Sequence, residues 1–454
     1  VWHIAPKCGL MNDPNGLCEI NGIHHIFYQW FPAGPVHGLK HWYHLTTKDF
    51  IHYEDFGPVV FPDEDIDAHG VYSGSAFIED DTIHYFYTGN LKYFDRDDYD
   101  YINNGRGSNT ITFTSKDGYE FTKKELLMTT DDYPADMSNH VRDPKIFKKN
   151  EKYYMVLGAR DVEGVGMILL YESTDLKNWT YKNRITTPQK FGYMWECPDL
   201  FEMDGQLYII CCPQGVETQG IDYENVHQVT AMKLDYDFDT DEYEITDIKL
   251  FDRGFDFYAP QSFEDESGRR ILIGWMGIPD ADYTNPTEEA GWQHALTIPR
   301  ELSVRDGKLI QEPIEELKQL RSEDKAVCTF CYGQTIIMQN TIYEAVVDFK
   351  RCREMVMTLC EGITLSYKDN ILTLNLGVYG SGRSTRKVRL EKLEHLQIFA
   401  DTSSLEIFVN HGEEVFTTRI YNHYGRLLIN GECSGIMTVY PLKSFEIEGG
   451  RHEE

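Results

Sequence analysis

Three carboxylates in this chain stand in short, stiff settings, and cleavage of a glycosidic bond needs carboxylates that are held still. Asp13 lies in Leu10-Met11-Asn12-Asp13-Pro14-Asn15-Gly16, Asp143 in Val141-Arg142-Asp143-Pro144-Lys145, and Glu196 in Met194-Trp195-Glu196-Cys197-Pro198-Asp199. Each is followed within two residues by a proline, which fixes φ and removes a backbone donor. Glycoside hydrolysis uses one carboxyl group to protonate the leaving oxygen and a second to attack the anomeric carbon or to activate water. Asp13, short and braced by Pro14, suits the nucleophile. Glu196 has Trp195 and Cys197 as apolar neighbours. Burial there, with anionic Asp13 close by, is expected to raise its pKa and keep it protonated as the general acid. Asp143 has Arg142 and Lys145 beside it, which are expected to hold it ionised for gripping sugar hydroxyls. Singly, D-P-N-G is ordinary turn chemistry and R-D-P-K an ordinary surface turn. Their weight comes from what must position them.

About 130 residues separate Asp13 from Asp143 and about 50 separate Asp143 from Glu196, so only a repeated architecture can gather the three. The chain carries such a repeat. Five turn-like motifs begin at Asn12, Tyr72, Arg142, Glu196 and Tyr258, each followed by an apolar stretch, a polar tip and an aromatic-rich stretch. The tips Asn21-Gly22, Asp80-Asp81, Lys149-Asn150, Asp204-Gly205 and Ser267-Gly268 predict tight hairpins. The spacing, about 55 to 70 residues, is enough for a four-stranded sheet per unit. Repeated sheets of that kind predict a five-bladed β-propeller over residues 1–305, whose equivalent blade positions converge at one end of a central channel. The acidic stretches Phe94 to Gly107 and Asp235 to Asp247 are expected to be solvated connections. Residues 306–323 are expected to be a linker, with a short helix over Glu312 to Arg321 that has proline near its start and basic residues near its end. Residues 324–454 alternate in short strands, among them Ile342 to Phe349, Ile371 to Leu376, Ser404 to Val409 and Arg426 to Ile429, which predicts a β-sandwich. The expected fold class is all-β.

Composition narrows the partners. A formal net charge of −31 opposes nucleic acid and anionic membranes, and favours a neutral substrate or an anionic one held by local basic groups. No apolar run approaches the length of a membrane helix. Ten cysteines are too sparse for a disulfide framework and read as cytosolic core thiols, so a cytoplasmic location is expected. No leader is visible, although the chain opens on Val1. Aromatic residues make up 13%, an excess that suits strand packing and a sugar-friendly surface. The sequence does not distinguish a monomer from a homodimer.

The N-D-P-N-G, R-D-P and E-C-P-D motifs, in this order and at these separations, resemble glycoside hydrolase family 32, which comprises invertases, sucrose-6-phosphate hydrolases, inulinases and levanases. The resemblance extends to Tyr72-Ser73-Gly74-Ser75, Phe257-Tyr258-Ala259-Pro260-Gln261, Pro299-Arg300-Glu301-Leu302 and Ser404-Leu405-Glu406-Ile407-Phe408-Val409-Asn410. It implies a five-bladed propeller followed by a β-sandwich, cleaving β-D-fructofuranosides with retention and without a metal or organic cofactor. By the same resemblance Asp13 attacks the fructosyl anomeric carbon. Glu196 protonates the departing sugar and then activates water, and Asp143 binds fructosyl hydroxyls. Asn12, Gln29, Trp42, Tyr72, Ser73, Arg142, Tyr258 and Trp275 fall at substrate-binding positions.

One stretch departs from the W-G-N-type segment of many extracellular invertases. Val36-His37-Gly38-Leu39-Lys40-His41-Trp42 is similar instead to the intracellular bacterial sucrose-6-phosphate hydrolases of the family. Lys40, with His37 and His41, is therefore a candidate contact for a phosphorylated glucosyl unit. Other signals carry less. Cys328, Cys331, Cys352 and Cys360 lack the second close pair of a zinc site. Asn178-Trp179-Thr180 has no secretory context, and the basic loop Gly380 to Arg386 reads as a hairpin tip rather than a phosphate cradle. The rival readings are an inverting arabinosidase or xylosidase, whose acids stand farther apart, a non-catalytic sugar-binding propeller, and a fructan hydrolase or fructosyltransferase on the same scaffold.

Overall fold

The structure, a computed structural model, describes residues 2–333, 335–339, 342–421 and 425–450, without side-chain placement for 336–339. Residues 1 and 451–454, the outer ends of the two expected domains, lie outside it. The described chain is almost entirely β, with three short 3-10 helices.

Up to Pro313 the strands form five sheets, each built on four strands that pair in chain order, and the short strand Trp292–Gln293 adds a parallel edge to the first. Their first strands are Gly9–Ile20, Val71–Glu79, Met137–Lys149, Met194–Met203 and Tyr258–Glu264. These five strands touch one another in succession, and the last touches the first. Four of the hairpins that follow turn on two residues of positive φ, the geometry that matches strand twist: Asn21-Gly22, Asp80-Asp81, Asn150-Glu151 and Asp204-Gly205. The third tip is one residue later than expected, because Lys149 still pairs with Lys152. The fifth is a longer loop between Glu264 and Arg270.

All five motifs share one backbone device. In every first strand the pairing with the second slips at the motif, between Met11 and Pro14, Val71 and Gly74, Arg142 and Lys145, Glu196 and Asp199, and Tyr258 and Gln261. A bulge of this kind re-aims a side chain that the regular pleat would bury or turn away. Asp143, Cys197 and Ala259, each just before a proline, have φ of 68°, 48° and 48°, a left-handed conformation that costs energy for residues other than glycine and gathers at functional sites.

Two connections differ from expectation. Asp235 to Asp247 is not a solvated link but a hairpin between Thr230–Tyr236 and Tyr243–Leu250. Its acids conceal an alternation in which Tyr243, Ile245 and Ile248 pack on the core. The stretch from Phe94 to Gly107 is the solvated connection expected, exposed from Phe94 to Tyr101, and is tied to the third sheet where the Asn139 backbone N–H donates to the Ile102 carbonyl at 2.9 Å. The expected linker begins with a strand, Lys308–Pro313, that completes the fifth sheet through an Asp306-Gly307 turn. The helix beyond it is a 3-10 turn, Glu315–Leu320, burying Leu317 and Leu320.

The C-terminal part contains two six-stranded sheets, and residues of both contribute to one core cluster that includes Ile398, Ile407, Leu365 and Leu374. The expected strands are there, as Tyr343–Cys352, Ile371–Asn375, Ser404–Val409 and Arg426–Asn430. The two parts are bolted together by polar groups. Glu406 accepts from Arg300 at 2.8 Å and from the His3 ring at 2.6 Å, all three being buried. The P-R-E-L and S-L-E-I-F-V-N motifs thus meet at a joint and not at the cavity. The basic loop behaves likewise: Arg383 reaches Asp256 at 2.9 Å and Arg386 reaches Asn225 at 2.7 Å. Finally Glu446–Gly449 adds a parallel strand to the first sheet.

The His3 joint makes stability depend on pH. Burial alone would depress the His3 pKa, but hydrogen bonds to Asp401 and Glu406, and their charges, outweigh it and raise the value to about 9. A histidine raised in this way contributes stability in full below its unfolded value of about 6.5, and that stability is lost as pH climbs through 9. Asp401, whose burial is outweighed by His3, is lowered to about 2, so its share is present above about 4 and lost only in strong acid. His3→Gln is therefore expected to cost about 3 kcal/mol at pH 6 and much less at pH 9.5. Urea midpoints of both proteins at the two pH values check this; an equal loss at both would refute the charged joint.

Candidate active site

Asp13, Asp143 and Glu196 come from the first strands of the first, third and fourth sheets and line one open cavity of about 480 Å³. Packing brings the strands this close only because small residues permit it. A Cβ on Gly158 would stand 2.1 Å from the Trp195 carbonyl oxygen, so glycine there lets the strand bearing Glu196 lie against the third sheet.

Each acid is held by its own set of donors. Ser73 donates to Asp13 Oδ2, and Asn12 Nδ2 donates to Asp13 Oδ1 at 3.1 Å while also bonding Gln29. The Cys197 thiol stands 3.5 Å from Asp13 Oδ2 and 3.5 Å from Asp143 Oδ2, so one sulfur separates two carboxylates. Asp143 also accepts from the Cys197 backbone N–H at 2.9 Å. Glu196 Oε2 takes two N–H groups of Arg142, at 3.0 and 2.9 Å, and Oε1 takes the Tyr258 hydroxyl at 2.6 Å.

Electrostatics follow from crowding three acids into a buried place. Burial pushes the Asp13 carboxyl above the usual range; the Ser73 hydrogen bond opposes this and the charge of Glu196 adds to it. Asp143 is not held ionised by its neighbours in sequence, as expected. Burial raises it, with Glu196 and Asp13 adding, and these outweigh Arg142. Lys145 gives it no help, because its ammonium turns away to the Ser262 carbonyl and to Asp199 at 3.7 Å. The apolar surroundings expected for Glu196 are also absent: Trp195 packs into the core between the third and fourth sheets, and the carboxyl meets Arg142 and Tyr258 instead.

The remaining expected residues divide. Asn12, Gln29, Tyr72, Ser73, Arg142, Tyr258 and Trp275 all line the cavity. Asn12 Oδ1 and Trp275 Nε1 are buried without a partner there. Orphaned polar atoms on a cavity wall are costly unless a ligand pairs them, and a polyhydroxylated sugar carries both donors and acceptors for them. Trp42 does not line the cavity. It is fully buried in the core between the first two sheets, and its indole N–H supports the Tyr72 carbonyl at 3.0 Å, next to Ser73. His41 bonds back to Leu39 at 3.1 Å and is likewise off the wall. Lys40 is on the wall, 5% exposed, with its Nζ 3.0 Å from His37 Nδ1. Burial lowers its pKa to about 7, opposed by the charge of nearby Asp13, and lowers His37 to about 3. The three expected positive charges are thus one at most, placed beside Asp13.

Sequence reasoning missed Lys92, Arg106, Tyr101, His140, Arg160 and Tyr193, all on the wall. His140 lies in the first strand of the third sheet, just ahead of the Arg142 motif, and the others lie at the ends of second and third strands or in loops, where no motif marks them.

The Ser73 contact has a measurable consequence. Its hydrogen bond favours ionised Asp13, so Ser73→Ala raises the Asp13 pKa further, and the acidic limb of the pH profile of kcat/KM is expected to move up by about one unit. An unmoved limb with a uniformly lower rate would refute this.

The pattern recurs in known proteins. The glycosyl hydrolases family 32 N-terminal domain matches residues 3–313 and its C-terminal counterpart matches residues 358–439. The chain belongs to glycosyl hydrolases family 32. Membership makes it a glycoside hydrolase. Within the family it is 37% identical to the sucrose-6-phosphate hydrolase of Staphylococcus xylosus, covering 99% of this chain and 92% of that one. It is 40% identical to the sucrose-6-phosphate hydrolase of Vibrio alginolyticus, over 92% and 86%. Among solved structures, the sucrose-6-phosphate hydrolase from Lactobacillus gasseri superposes with a TM-score of 0.87 at 29% identity, covering 98% of this chain and 93% of that one. A mutant GH32 beta-fructofuranosidase of Bombyx mori in complex with sucrose superposes with a TM-score of 0.83 at 28% identity, over 98% and 94%.

Proposed function

We propose that this family 32 enzyme hydrolyses terminal β-D-fructofuranosides, sucrose and sucrose 6-phosphate foremost, with retention through a covalent fructosyl-enzyme intermediate. The observation that carries the reading is the meeting of three carboxylates from three different sheets on one cavity wall, each with separate donors. Asp13 attacks the anomeric carbon while Glu196 gives its proton to the departing sugar oxygen. Glu196, now a carboxylate, takes a proton from water as that water displaces Asp13. Arg142 and Tyr258 hold the Glu196 carboxyl in place for both steps. Asp143 grips fructosyl hydroxyls, with Asn12, Gln29, Tyr72, Ser73 and Trp275 completing the pocket.

The five sheets form a five-bladed propeller in this reading, supported by the succession of contacts among the first strands. The two six-stranded sheets form a β-sandwich, supported by their shared core. The catalytic domain then runs to Pro313 and a short link to about residue 323. A cytoplasmic location suits the ten free cysteines.

Sucrose, sucrose 6-phosphate and inulin assayed side by side test the proposal. Fructose released first as the β-anomer, observed by NMR before mutarotation, is the expected result. First release of the α-anomer, or no fructose from any of the three, would overturn it.

A further inference from the structure

Besides Lys40, the cavity has a second set of cations. Lys92 and Arg106 face each other across two strands of the second sheet, and Arg160 lies at the end of the second strand of the third. All three line the cavity that holds the acids. Arg106 is joined to the catalytic group through His140, whose Nδ1 is 3.5 Å from Arg106 Nη1 and 2.8 Å from Arg142 Nη1.

What sets these cations apart is the company they keep. The chain has 74 acidic against 43 basic side chains, and its buried cations elsewhere are matched: Arg300 with Glu406 at 2.8 Å, Arg419 with Asp256 at 3.2 Å, Lys145 with Asp199 at 3.7 Å. Among the described residues, Lys92, Arg106 and Arg160 form no ion pair; Asp100, which feels the Arg160 charge, has its carboxylate capped by the Ile102 and Asn103 backbone N–H groups. Neutral groups hold the three instead: aromatic rings in every case, and for Arg106 also Asn90 Oδ1, which accepts from Nη2 at 2.7 Å, and the Tyr101 hydroxyl, which accepts from Nη1 at 3.3 Å. Arg106 lies 5.6 Å from the centres of Tyr72 and Tyr101, Arg160 lies 4.6 Å from that of Tyr193, and Lys92 lies 5.9 Å from that of Phe94. Ring faces and neutral oxygens fix a guanidinium without neutralising its charge. Arg106, 3% exposed, and Arg160 each keep a buried Nε with no partner.

Unneutralised, preorganised, partly desolvated guanidinium groups on one wall are the chemistry of a phosphate site. We infer that Arg160, Arg106 and Lys92 form the seat for a phosphomonoester on the leaving sugar, making the enzyme selective for the phosphorylated disaccharide. This rests on the fructosidase reading above, since the phosphate is placed by the sugar it rides on. The seat lies on second and third strands, one step out from the first strands that bear the acids, as a group on the departing unit requires.

The test compares kcat/KM for sucrose 6-phosphate and for sucrose in the parent, in Arg160→Gln and in Lys92→Gln. The ratio in the parent is expected to favour the phosphorylated sugar, and to fall about tenfold or more in Arg160→Gln, with a smaller fall in Lys92→Gln. Equal changes on both substrates, leaving the ratio where it was, would overturn the proposal. Calorimetric binding of glucose 6-phosphate and of glucose provides a second reading that needs no turnover. The parent should bind the phosphate ester about tenfold tighter or more, and Arg160→Gln should narrow that gap; no gap in the parent, or the same gap in both, would again overturn it. Should the parent hydrolyse neither disaccharide, the fructosidase reading fails, and the binding comparison still decides the phosphate seat.

Discussion

Asp13→Asn is expected to lower kcat by on the order of 10⁴ to 10⁶, the loss seen when the nucleophile of a covalent mechanism is removed. The amide keeps the shape that Ser73 and Asn12 address, so the cavity need not rearrange. The informative companion is stability. Burial raises the Asp13 pKa, which means that at neutral pH the folded state bears the cost of an ionised group it would rather protonate. A neutral amide removes that cost. The variant should therefore melt no lower than the parent at pH 7, and the difference in its favour should shrink as pH falls toward the range where Asp13 takes up its proton. An inactive variant that also melts well below the parent would show that Asp13 is a structural acid. An active one would remove it from the mechanism.

Glu196→Gln is expected to lower kcat by about 10² to 10⁴ on sucrose, the share that general acid–base catalysis contributes. Its stability should move the opposite way. Glu196 accepts two hydrogen bonds from the buried Arg142 guanidinium, and an amide oxygen accepts them less strongly, so the variant is expected to lose about 1 to 3 kcal/mol. Two further observations separate a proton-transfer role from a packing role. A fructoside with a good leaving group should lose much less rate, since its departure needs little protonation. Azide, which attacks without a base, should restore turnover and give a β-fructosyl azide. Failure of both, with ordinary stability, would move the acid–base role to another residue.

The contrast between the two variants reflects how the site divides its charges. Arg142 is committed to Glu196 and leaves Asp13 and Asp143 to hydroxyl, thiol and backbone donors. Lys40, which feels the charge of Asp13, makes no ion pair among the described residues, and burial lowers its pKa to about 7.

Much of this was legible in the chain itself. The strands follow from alternation and aromatic content, and most hairpin tips from paired residues that accept positive φ, as at Asn21-Gly22 and Asp204-Gly205. The three acids are legible because bulged strand starts need proline and a tolerant neighbour, which leaves a local signature. Where local chemistry misleads, two local signals compete: acidic residues between Asp235 and Asp247 mask a hairpin, and the Asp306-Gly307 turn lies within the stretch that otherwise resembles a linker.

Tertiary structure alone decided the rest, because proximity in sequence does not say where a long side chain goes. Lys145, two residues from Asp143, spends its charge on Asp199, whereas Arg142 crosses to a different sheet to meet Glu196. Trp42 sits in a stretch that runs onto the cavity wall, yet the strand's alternation turns it inward to the core. Arg106 and Arg160 carry no motif at all; only the convergence of two sheets puts their unpaired guanidinium groups on the wall that holds the acids. Residue types and turns are properties of a few neighbours along the chain, so sequence determines them. Charge pairing and burial depend on groups tens to hundreds of residues away, and those distances close only when the sheets pack.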